Sequence, residues 1–255
     1  MERTSKFCVS IAGLDSSGGA GLLADIKTME QNGVHGLGVC TGITYQNEKS
    51  VYGIDWLSED QILKQLITLF EIYKPAAAKI GIVKDIAMLK SVTDFLISQN
   101  KSIAIVWDPV MKSSSGFDFH LKNENWIDEL ENITLLTPNI FEARVITGIE
   151  DEEKAALYLA RQCNVLLKGG HSESESSTDL LFTNEKIISI SGDRFNGTKR
   201  GTGCVLSSAI ASQLALGKDL EEACRNGKDY VMQYLLSTSD LLGYHHQIKF
   251  ISNEV

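Results

Sequence analysis

The sequence predicts an α/β domain in which a mostly parallel sheet is flanked by helices. Short apolar stretches alternate along the chain with amphipathic stretches of about 10–15 residues, which is the spacing of βαβ units. The 255 residues are 43% hydrophobic and 22% charged, a composition that suits one sizeable buried core. Neither an internal repeat nor a linker interrupts the pattern, so we expect a single domain over residues 1–255.

The first half of the chain shows this alternation most clearly. Residues 7–12 are predicted as a buried strand, a glycine-rich loop follows, and residues 19–32 carry the apolar stripe of a helix that ends at Gly33. Ser58 and Gln61 form a capping box ahead of the next amphipathic helix. The other elements predicted here are strands over residues 37–43, 76–82 and 103–107 and a helix over residues 85–99.

The second half continues in the same way. A hairpin-like pair of strands is predicted over residues 179–182 and 186–190, and the polar run over residues 171–177 is predicted to be a surface loop. The remaining predicted elements are strands over residues 133–136 and 165–168 and helices over residues 123–130, 138–146, 152–161, 202–216 and 220–237.

The candidate binding residues gather at the ends of these strands. In parallel α/β sheets, ligands bind outside the carboxyl ends of the strands. The loop over residues 13–21, Gln46, Asp108, Lys168 and the loop over residues 201–204 all fall at or after a predicted strand end. We therefore expect one ligand site at that edge of the sheet.

Charge and cysteine content exclude several classes of function. The net charge of −9, without any run of Lys or Arg, argues against a nucleic-acid partner and against an anionic membrane surface. No apolar run reaches the roughly 18 residues of a membrane span, and the first apolar stretch is too short for a signal peptide. Five scattered cysteines indicate neither a disulfide framework nor a zinc site, so we predict a reducing cytoplasm.

The loop Gly201-Thr202-Gly203-Cys204 directly precedes a predicted helix. The free N–H groups of a first helical turn, together with the helix dipole, form an anion pocket that can stabilise a phosphoryl group in transfer. A thiol at that position is expected to have a lowered pKa and to be able to accept a proton. Spacing alone also allows a tight turn in which Cys204 is a small buried hydrophobic residue.

The glycine loop after the first strand is only a weak candidate for a nucleotide-binding loop of a known type. Gly19, Gly21 and Ala24 match the dinucleotide fingerprint loosely, but the match begins six residues after the strand, and no acidic residue ends the second strand. A Walker P-loop is absent from the sequence.

Two aspartates near this loop are candidate bases. Asp15 is either a general base or an Asx-turn residue of its own loop, and Asp25 is either a base or a surface residue in mid-helix.

Lys168, Asn139 and Glu142 are candidates for contact with phosphate and metal. Lys168 closes a strand beside two glycines, which suits a phosphate contact and equally a solvated lysine. Asn139 and Glu142 lie one helical turn apart, so an amide and a carboxylate share one face and can hold the water shell of Mg²⁺. The alternative is a capped helix with one exposed acid.

Seven segments stand in one order over roughly residues 7–235: residues 11–28, Gln46-Asn47, Lys79-Ile80-Gly81, Asp108-Pro109-Val110-Met111, Thr137-Pro138-Asn139 with Glu142-Ala143, Lys168-Gly169-Gly170-His171 and Gly201-Thr202-Gly203-Cys204. In this order and spacing they resemble the hydroxymethylpyrimidine/phosphomethylpyrimidine kinases of thiamine synthesis, a branch of the ribokinase-like superfamily. Within that superfamily, Gln46 and Cys204 favour the pyrimidine kinases.

The resemblance implies a three-layer ribokinase-like fold and a kinase with Mg-ATP as phosphoryl donor. The acceptor would be 4-amino-5-hydroxymethyl-2-methylpyrimidine and then its monophosphate. Cys204 would be the base, and residues 201–203 would supply the anion hole. Lys168 would neutralise ATP phosphates, while Asn139 and Glu142 would stand near Mg²⁺, with Glu142 as a metal ligand. Members of the family often form homodimers, so we expect a homodimer here.

The resemblance also implies where the acceptor lies. Gln46 would hydrogen-bond the edge of the pyrimidine ring, which favours an aminopyrimidine over its nearest rival, the pyridoxal or pyridoxine of a related kinase. A non-catalytic pyrimidine-binding protein is a further alternative. The rest of the implied pocket consists of Gly13, Ala20, Asp25, Thr44, Ile82 and Val110.

Two departures from the family pattern stand out. The first loop reads Asp15-Ser16-Ser17 where the family has Asp-Pro-Ser, and the missing proline loosens the loop without removing a contact. Lys199-Arg200 replaces the family's Thr-His before Gly201. These two cations either contact phosphate directly or alter how the flanking loop closes. The sequence after residue 240 matches no segment of the family pattern.

Overall fold

The computed structural model describes residues 6–113, 115–119, 125–169, 176–195 and 197–246. Its nine strands are β1 (Phe7–Asp15), β2 (His35–Gln46), β3 (Val51–Trp56), β4 (Ala77–Ile80), β5 (Ala104–Trp107), β6 (Leu135–Leu136), β7 (Asn164–Leu167), β8 (Ser176–Phe182) and β9 (Ile187–Asp193). They form one sheet in the order β3-β2-β1-β4-β5-β6-β7-β8-β9. The six central strands run parallel, and β3, β8 and β9 join antiparallel at the edges.

Helices cover both faces of the sheet. They are α1 (Gly21–Gln31), α2 (Glu59–Phe70), α3 (Ile86–Gln99), α4 (Ile140–Thr147), α5 (Glu152–Leu159), α6 (Thr202–Ala215) and α7 (Leu220–Leu236), with a 3-10 helix over Trp126–Asn132. Successive side chains of a strand point to opposite faces, so neighbouring residues enter different cores. Val9 packs into the core under α2–α5, whereas Cys8 packs into the core under α1, α6 and α7. The predicted three-layer α/β fold is confirmed.

The β2–β3 hairpin was not predicted in full. Strand β2 extends to Gln46, beyond the predicted end, and β3 pairs with it antiparallel. Strand β3 was not predicted because it contains Gly53 and Asp55, two residue types that are uncommon in strands. Strand β3 is an edge strand of the sheet, and the Tyr45 hydroxyl donates to Asp55 across the hairpin. This hairpin brings Gln46 to the edge where the other candidate residues meet.

Two predicted segments fall partly outside the described residues. The predicted helix over residues 123–130 is described only from residue 125, where a 3-10 helix over Trp126–Asn132 takes its place. Of the predicted loop over residues 171–177, residues 171–175 lie outside the described part of the chain. Its last two residues begin β8, so the strand starts three residues earlier than the prediction.

After α7 the chain continues as the C-terminal segment, which we define as residues 238–245. The segment has neither helix nor strand and lies against α1 and α7. Within the described residues, no helix combines the length and the apolar character needed to cross a membrane.

Candidate active site

The parallel strands deliver their carboxyl ends to one edge of the sheet, as expected. Strand β2 ends at Gln46, and β5 is followed at once by Asp108. Strand β7 is followed by Lys168, which pairs as an isolated parallel bridge with Asn139 of the neighbouring connection. The loop at Gly201 approaches the same edge from the α6 side. The glycine loop, Asp108, Lys168 and the loop at Gly201 therefore lie close together, as predicted.

The first turn of α6 lies directly over a buried ion pair. Gly201 is the N-cap residue, with φ of 71°, and a Cβ there would collide with the backbone oxygen of Gly19. A Cβ on Gly203 would stand 3.4 Å from Asp108 Oδ2 and 3.4 Å from Lys168 Nζ. Glycine therefore lets the helix N-terminus approach the charged pair closely. A helix N-terminus beside an ammonium is an arrangement that can bind an anion, and the predicted role of residues 201–204 stays a prediction.

Lys168 is held by carboxylates and is not a solvated lysine. Its Nζ donates to Asp108 Oδ1 over 2.8 Å and stands 3.7 Å from Glu142 Oε2. Burial on its own would lower the pKa of Lys168, but Asp108 and Glu142 together raise that pKa above its ordinary value. The ammonium is therefore charged, and it stands beneath the N-terminus of α6. Asp108 Oδ2 is buried and has no hydrogen-bond partner among the described residues.

Asn139 and Glu142 form a complete capping box at the start of α4. The Glu142 backbone N–H donates to Asn139 Oδ1, and the Asn139 backbone N–H donates to Glu142 Oε2, each over 2.8 Å. The capped helix was one of the two alternatives, but the acid is only 4% exposed rather than at the surface. Burial, partly opposed by Lys168, raises the pKa of Glu142. Asn139 Oδ1 and Glu142 Oε2 each accept one capping hydrogen bond, which leaves both oxygens with further acceptor capacity.

The expected lowering of the Cys204 pKa is wrong. Burial raises the pKa of the Cys204 thiol to about 11, and the charge of Lys79 opposes that rise less strongly. The carboxylates of Asp25 and Asp108 add to the rise, while the backbone N–H of Gly21 favours the thiolate. The position of Cys204 at a helix N-terminus predicted a lowered pKa. The burial and the two carboxylates that raise the pKa come from residues distant in sequence, so the local pattern did not reveal them. The residue as a whole is half-buried, and with this pKa the thiol is protonated at neutral pH.

Asp25 is buried beneath the site. Its carboxylate is fully buried and accepts from Lys79 Nζ over 2.8 Å, from Ser10 Oγ over 2.6 Å and from Ser208 Oγ over 2.8 Å. Both oxygens are therefore engaged within the protein, which corrects both the expected substrate contact and the alternative of a surface residue. The Lys79–Asp25 pair instead places a buried positive charge close enough to act on the Cys204 thiol.

The glycine loop forms the other wall of the site. Asp15 accepts from the Ser17 N–H and hydroxyl through Oδ1 and from the Ala20 N–H through Oδ2, so of the two alternatives it is the Asx-turn residue of its own loop. These bonds hold Ala20 as the N-cap of α1. The absent side chain of Gly13 makes room for Ile82, because a Cβ there would overlap the Ile82 side chain.

The remaining predicted acceptor residues line the same edge. The Thr44 hydroxyl donates to the carbonyl of Leu14 over 2.8 Å, so its polar atom ties β2 to the glycine loop. Gln46 is half-buried at the end of β2, and Val110 is half-buried just after Asp108. Contacts join the glycine loop, Asp108, Lys168 and the first turn of α6, and the side chains of Asp25, Thr44 and Asn139 bond within the protein. The roles of these residues and of Gln46 and Val110 toward a ligand stay predictions.

Sequence reasoning missed two charged residues of the site. Asp108 was noted only as a strand-end residue, and Lys79 only as part of a matching segment, yet both are fully buried near Cys204. A charged residue at the carboxyl end of an otherwise apolar strand is the signal that identifies Asp108. Among the described residues no group of three or more His, Cys, Asp or Glu side chains can hold a metal ion by itself.

Comparison with known proteins gives a consistent picture. Residues 15–249 match the model of the family described as phosphomethylpyrimidine kinase. A hydroxymethylpyrimidine/phosphomethylpyrimidine kinase of Aquifex aeolicus is 34% identical over 253 residues, which cover 94% of this chain and 98% of that protein.

Two solved structures are similar over nearly the whole chain. The crystal structure of phosphomethylpyrimidine kinase from Clostridium difficile has 33% identity and a TM-score of 0.75, covering 90% of this chain and 99% of that one. The pyridoxal kinase of Staphylococcus aureus in complex with AMP-PCP and pyridoxal has 27% identity and a TM-score of 0.84. The alignment covers 97% of this chain and 96% of the pyridoxal kinase.

Proposed function

The chain belongs to the phosphomethylpyrimidine kinase family, and from that premise we propose that it phosphorylates 4-amino-5-hydroxymethyl-2-methylpyrimidine with ATP, and then the monophosphate of that pyrimidine. It is a kinase of the ribokinase-like fold, and its relatives place it in thiamine biosynthesis. ATP as co-substrate is supported by the AMP-PCP complex of the similar pyridoxal kinase.

One observation carries this proposal. The N-terminus of α6 lies over the Asp108–Lys168 pair, so backbone N–H donors and an ammonium face one small volume at the carboxyl edge of the sheet. Phosphoryl transfer requires mainly positioning and stabilisation of charge on the transferred group. Donors at residues 201–204 would hold the phosphoryl oxygens, and Lys168 would balance their charge.

Cys204 is our candidate for the proton acceptor. The residue stands in the first turn of α6, beside the donors that would hold the phosphoryl group. Its thiol is protonated at neutral pH, since its pKa is about 11, so a role as base requires the minor thiolate form. Lys79 is the charge that most favours that form. This role makes turnover depend on pH.

Mg²⁺ fits the carboxylates of this site. Asp108 Oδ2 is buried without a partner among the described residues, and Glu142 lies across the same ammonium. Mg²⁺ usually binds through one or two carboxylates together with phosphates and water. Asp108 and Glu142 would therefore hold it, with Asp108 as an addition to the predicted Glu142. The ion would supply positive charge against the β- and γ-phosphates.

Pyridoxal is the second candidate acceptor. The similar pyridoxal kinase in complex with pyridoxal gives it specific support. Gln46 favours the aminopyrimidine, because an amide can pair both with a ring nitrogen and with the adjacent amino group. The relatives named as hydroxymethylpyrimidine/phosphomethylpyrimidine kinases are also more similar in sequence, at 34% against 27% identity.

A coupled assay of ADP release tests these alternatives. The purified protein is supplied with Mg-ATP and, separately, the aminopyrimidine, its monophosphate, pyridoxal or no acceptor. We expect turnover to be fastest with the aminopyrimidine or its monophosphate. Faster turnover of pyridoxal would replace the proposal with a pyridoxal kinase. Saturable binding of the pyrimidine without ADP release would indicate a non-catalytic binding protein.

We also propose a homodimer in a reducing cytoplasm. The β2–β3 hairpin carries exposed apolar side chains at the edge of the sheet, Ile43, Tyr45 and Tyr52, which a second copy of the chain would cover. All five cysteines are free thiols, which suits a reducing compartment. Sedimentation equilibrium measures the assembly, and Tyr52→Asp is expected to shift a dimer towards monomer.

A further inference from the structure

The Lys199 side chain points towards the C-terminal segment rather than towards the anion site proposed at residues 201–204. Its Nζ donates to the Thr238 carbonyl and to Thr238 Oγ1, each over 2.7 Å, and to the Asp240 carbonyl over 2.8 Å. An ammonium has three donors, and all three are satisfied here. Of the two roles considered for this departure from the family pattern, a direct phosphate contact therefore has no free donor on Lys199.

The next residue continues this attachment through its backbone. The Arg200 N–H donates to the Leu241 carbonyl over 2.9 Å, and the Arg200 carbonyl accepts from the Tyr234 hydroxyl over 2.9 Å. That hydroxyl in turn accepts from the Gly243 N–H over 3.3 Å. The Arg200 side chain turns the other way, to the carbonyl of Asn47 at the end of β2. Arg200 is thus tied on both sides immediately before Gly201.

The C-terminal segment also covers the glycine loop. A Cβ on Gly19 would stand 2.5 Å from Leu242 Cδ2 and 3.3 Å from Arg200 Cβ, so these groups pack closely around Gly19. Gly19 is the residue whose carbonyl adjoins Gly201. One segment therefore contacts both the glycine loop, at Gly19, and residues 199–200, which immediately precede Gly201.

The far end of the segment is fixed between two helices. His245 Nδ1 stands 3.3 Å from Thr28 Oγ1 on α1 and 3.1 Å from the Tyr230 hydroxyl on α7. Its ring lies 4.9 Å from the ring of Tyr234. The segment is thus held at its start by Lys199 and at its end by His245, and its middle contacts the glycine loop at Gly19.

We propose that the C-terminal segment is a brace for the phosphoryl-binding loop and that Lys199 is the positioning residue that attaches it. The proposal rests on the proposed function, because it assigns the segment a role in holding the backbone N–H donors of that site. A misplacement of about 1 Å at a catalytic group can cost roughly 100-fold in rate. A segment far from the reacting atoms can therefore control turnover.

The test compares Lys199→Met with Lys199→Arg in the full chain, and Lys218→Met is the matched control. Lys218 forms an ion pair with Glu222 on the surface, away from the site. We expect Lys199→Met to lower kcat about 10- to 100-fold with little change in the KM for ATP. Arginine, which can donate to the same three acceptors, should restore most of the rate. Unchanged kcat in Lys199→Met would overturn the proposal.

Amide hydrogen exchange provides a readout that does not depend on the acceptor. Faster exchange at residues 200–204 in Lys199→Met than in the wild type and in Lys218→Met supports the brace, and equal exchange contradicts it. A wild type without turnover of either pyrimidine would refute the proposed function alone. The exchange data would still decide whether Lys199 fixes the loop.

Discussion

At the scale of single residues, the site is organised by charge. Lys168 lies between two carboxylates, Asp108 and Glu142, and the N-terminus of α6 covers this group. Burial of two acids beside one ammonium leaves a deficit of positive charge, which the bound phosphates of ATP would increase. Under the proposed function, a divalent cation bound with the nucleotide at this edge would offset that deficit.

The role of Cys204 is tested by the pH dependence of turnover. Cys204→Ala is expected to lower kcat about 10²- to 10⁴-fold, the usual range for the loss of a general base. In the wild type, kcat should rise with pH from neutrality towards the thiol pKa of about 11, because the thiolate fraction rises over that range. Steady-state rates with saturating substrates measure both effects.

Cys163→Ala is the control for this prediction. Cys163 is a buried cysteine directly before β7, at the amino ends of the parallel strands, whereas the site lies at their carboxyl ends. Its loss should leave both the rate and the pH profile unchanged. Normal turnover in Cys204→Ala, or a flat wild-type profile, would exclude the thiolate as base.

Individual side chains were harder to predict than the place where they meet. The positions of Lys168 and Gln46 at strand ends followed from the alternation of strands and helices. The engagement of Asp25 by Ser10 and Ser208 did not, because these residues are 15 and 183 positions away in the sequence. The sign of the Cys204 pKa shift depends on the same long-range packing.

At the scale of elements, the entry of α6 requires glycine at position 201. Its positive φ is unfavourable for other residues by about 1–2 kcal/mol, and a Cβ would in addition collide with the carbonyl of Gly19. We therefore expect Gly201→Ala to lose stability and, because the glycine loop must move, most of its turnover. Urea unfolding and the ADP-release assay measure the two losses.

The other end of the same helix offers a matched control. Gly217 also has a positive φ, of 87°, but nothing lies within 4 Å of a Cβ built there. Gly217→Ala should show the strain in its unfolding free energy and keep its activity. Equal losses of activity in the two variants would mean that backbone strain, rather than contact with the glycine loop, accounts for the effect.

The elements themselves were largely predictable. Central strands such as β4 and β5 are short apolar runs, and α2 is marked by its capping box at Ser58. Strand β3 was missed because its glycine and aspartate oppose a strand, and pairing with β2 at the sheet edge outweighs that local preference. The C-terminal segment has no periodic pattern, so only tertiary contacts define its path.

At the scale of the whole molecule, the buried Lys79–Asp25 pair joins β4 to α1, with Ser10 of β1 and Ser208 of α6 completing the network. Lys79→Met would leave the Asp25 carboxylate buried without its countercharge. Removal of one partner of such a pair typically destabilises a protein by about 3–5 kcal/mol. We expect a loss of that order in the free energy of unfolding, measured by urea denaturation.

Two further variants identify the cause of that loss. The double variant Lys79→Met/Asp25→Asn removes both charges and should recover a large part of the lost stability. Lys64→Met breaks an exposed pair with Asp60 and should have little effect. If the double variant were as unstable as Lys79→Met, the lost packing of the lysine chain rather than the unpaired charge would be responsible.

The C-terminal segment couples the stability of the whole fold to pH through His245. Burial between α1 and α7 lowers the pKa of His245 to about 4, and the charges of Lys27 and His246 contribute. In the unfolded chain this histidine binds a proton near its ordinary pKa of about 6.5. Between these two values the unfolded state therefore holds more protons, so stability falls as pH decreases through that window.

The difference in unfolding free energy between the wild type and His245→Phe isolates this contribution. Phenylalanine retains a ring beside Tyr234 but cannot titrate, so the advantage of the wild type should be full above about pH 6.5 and lost by about pH 4. A difference that stays constant with pH would mean that His245 is not held in its neutral form, and the segment would then be bound less firmly than its contacts indicate.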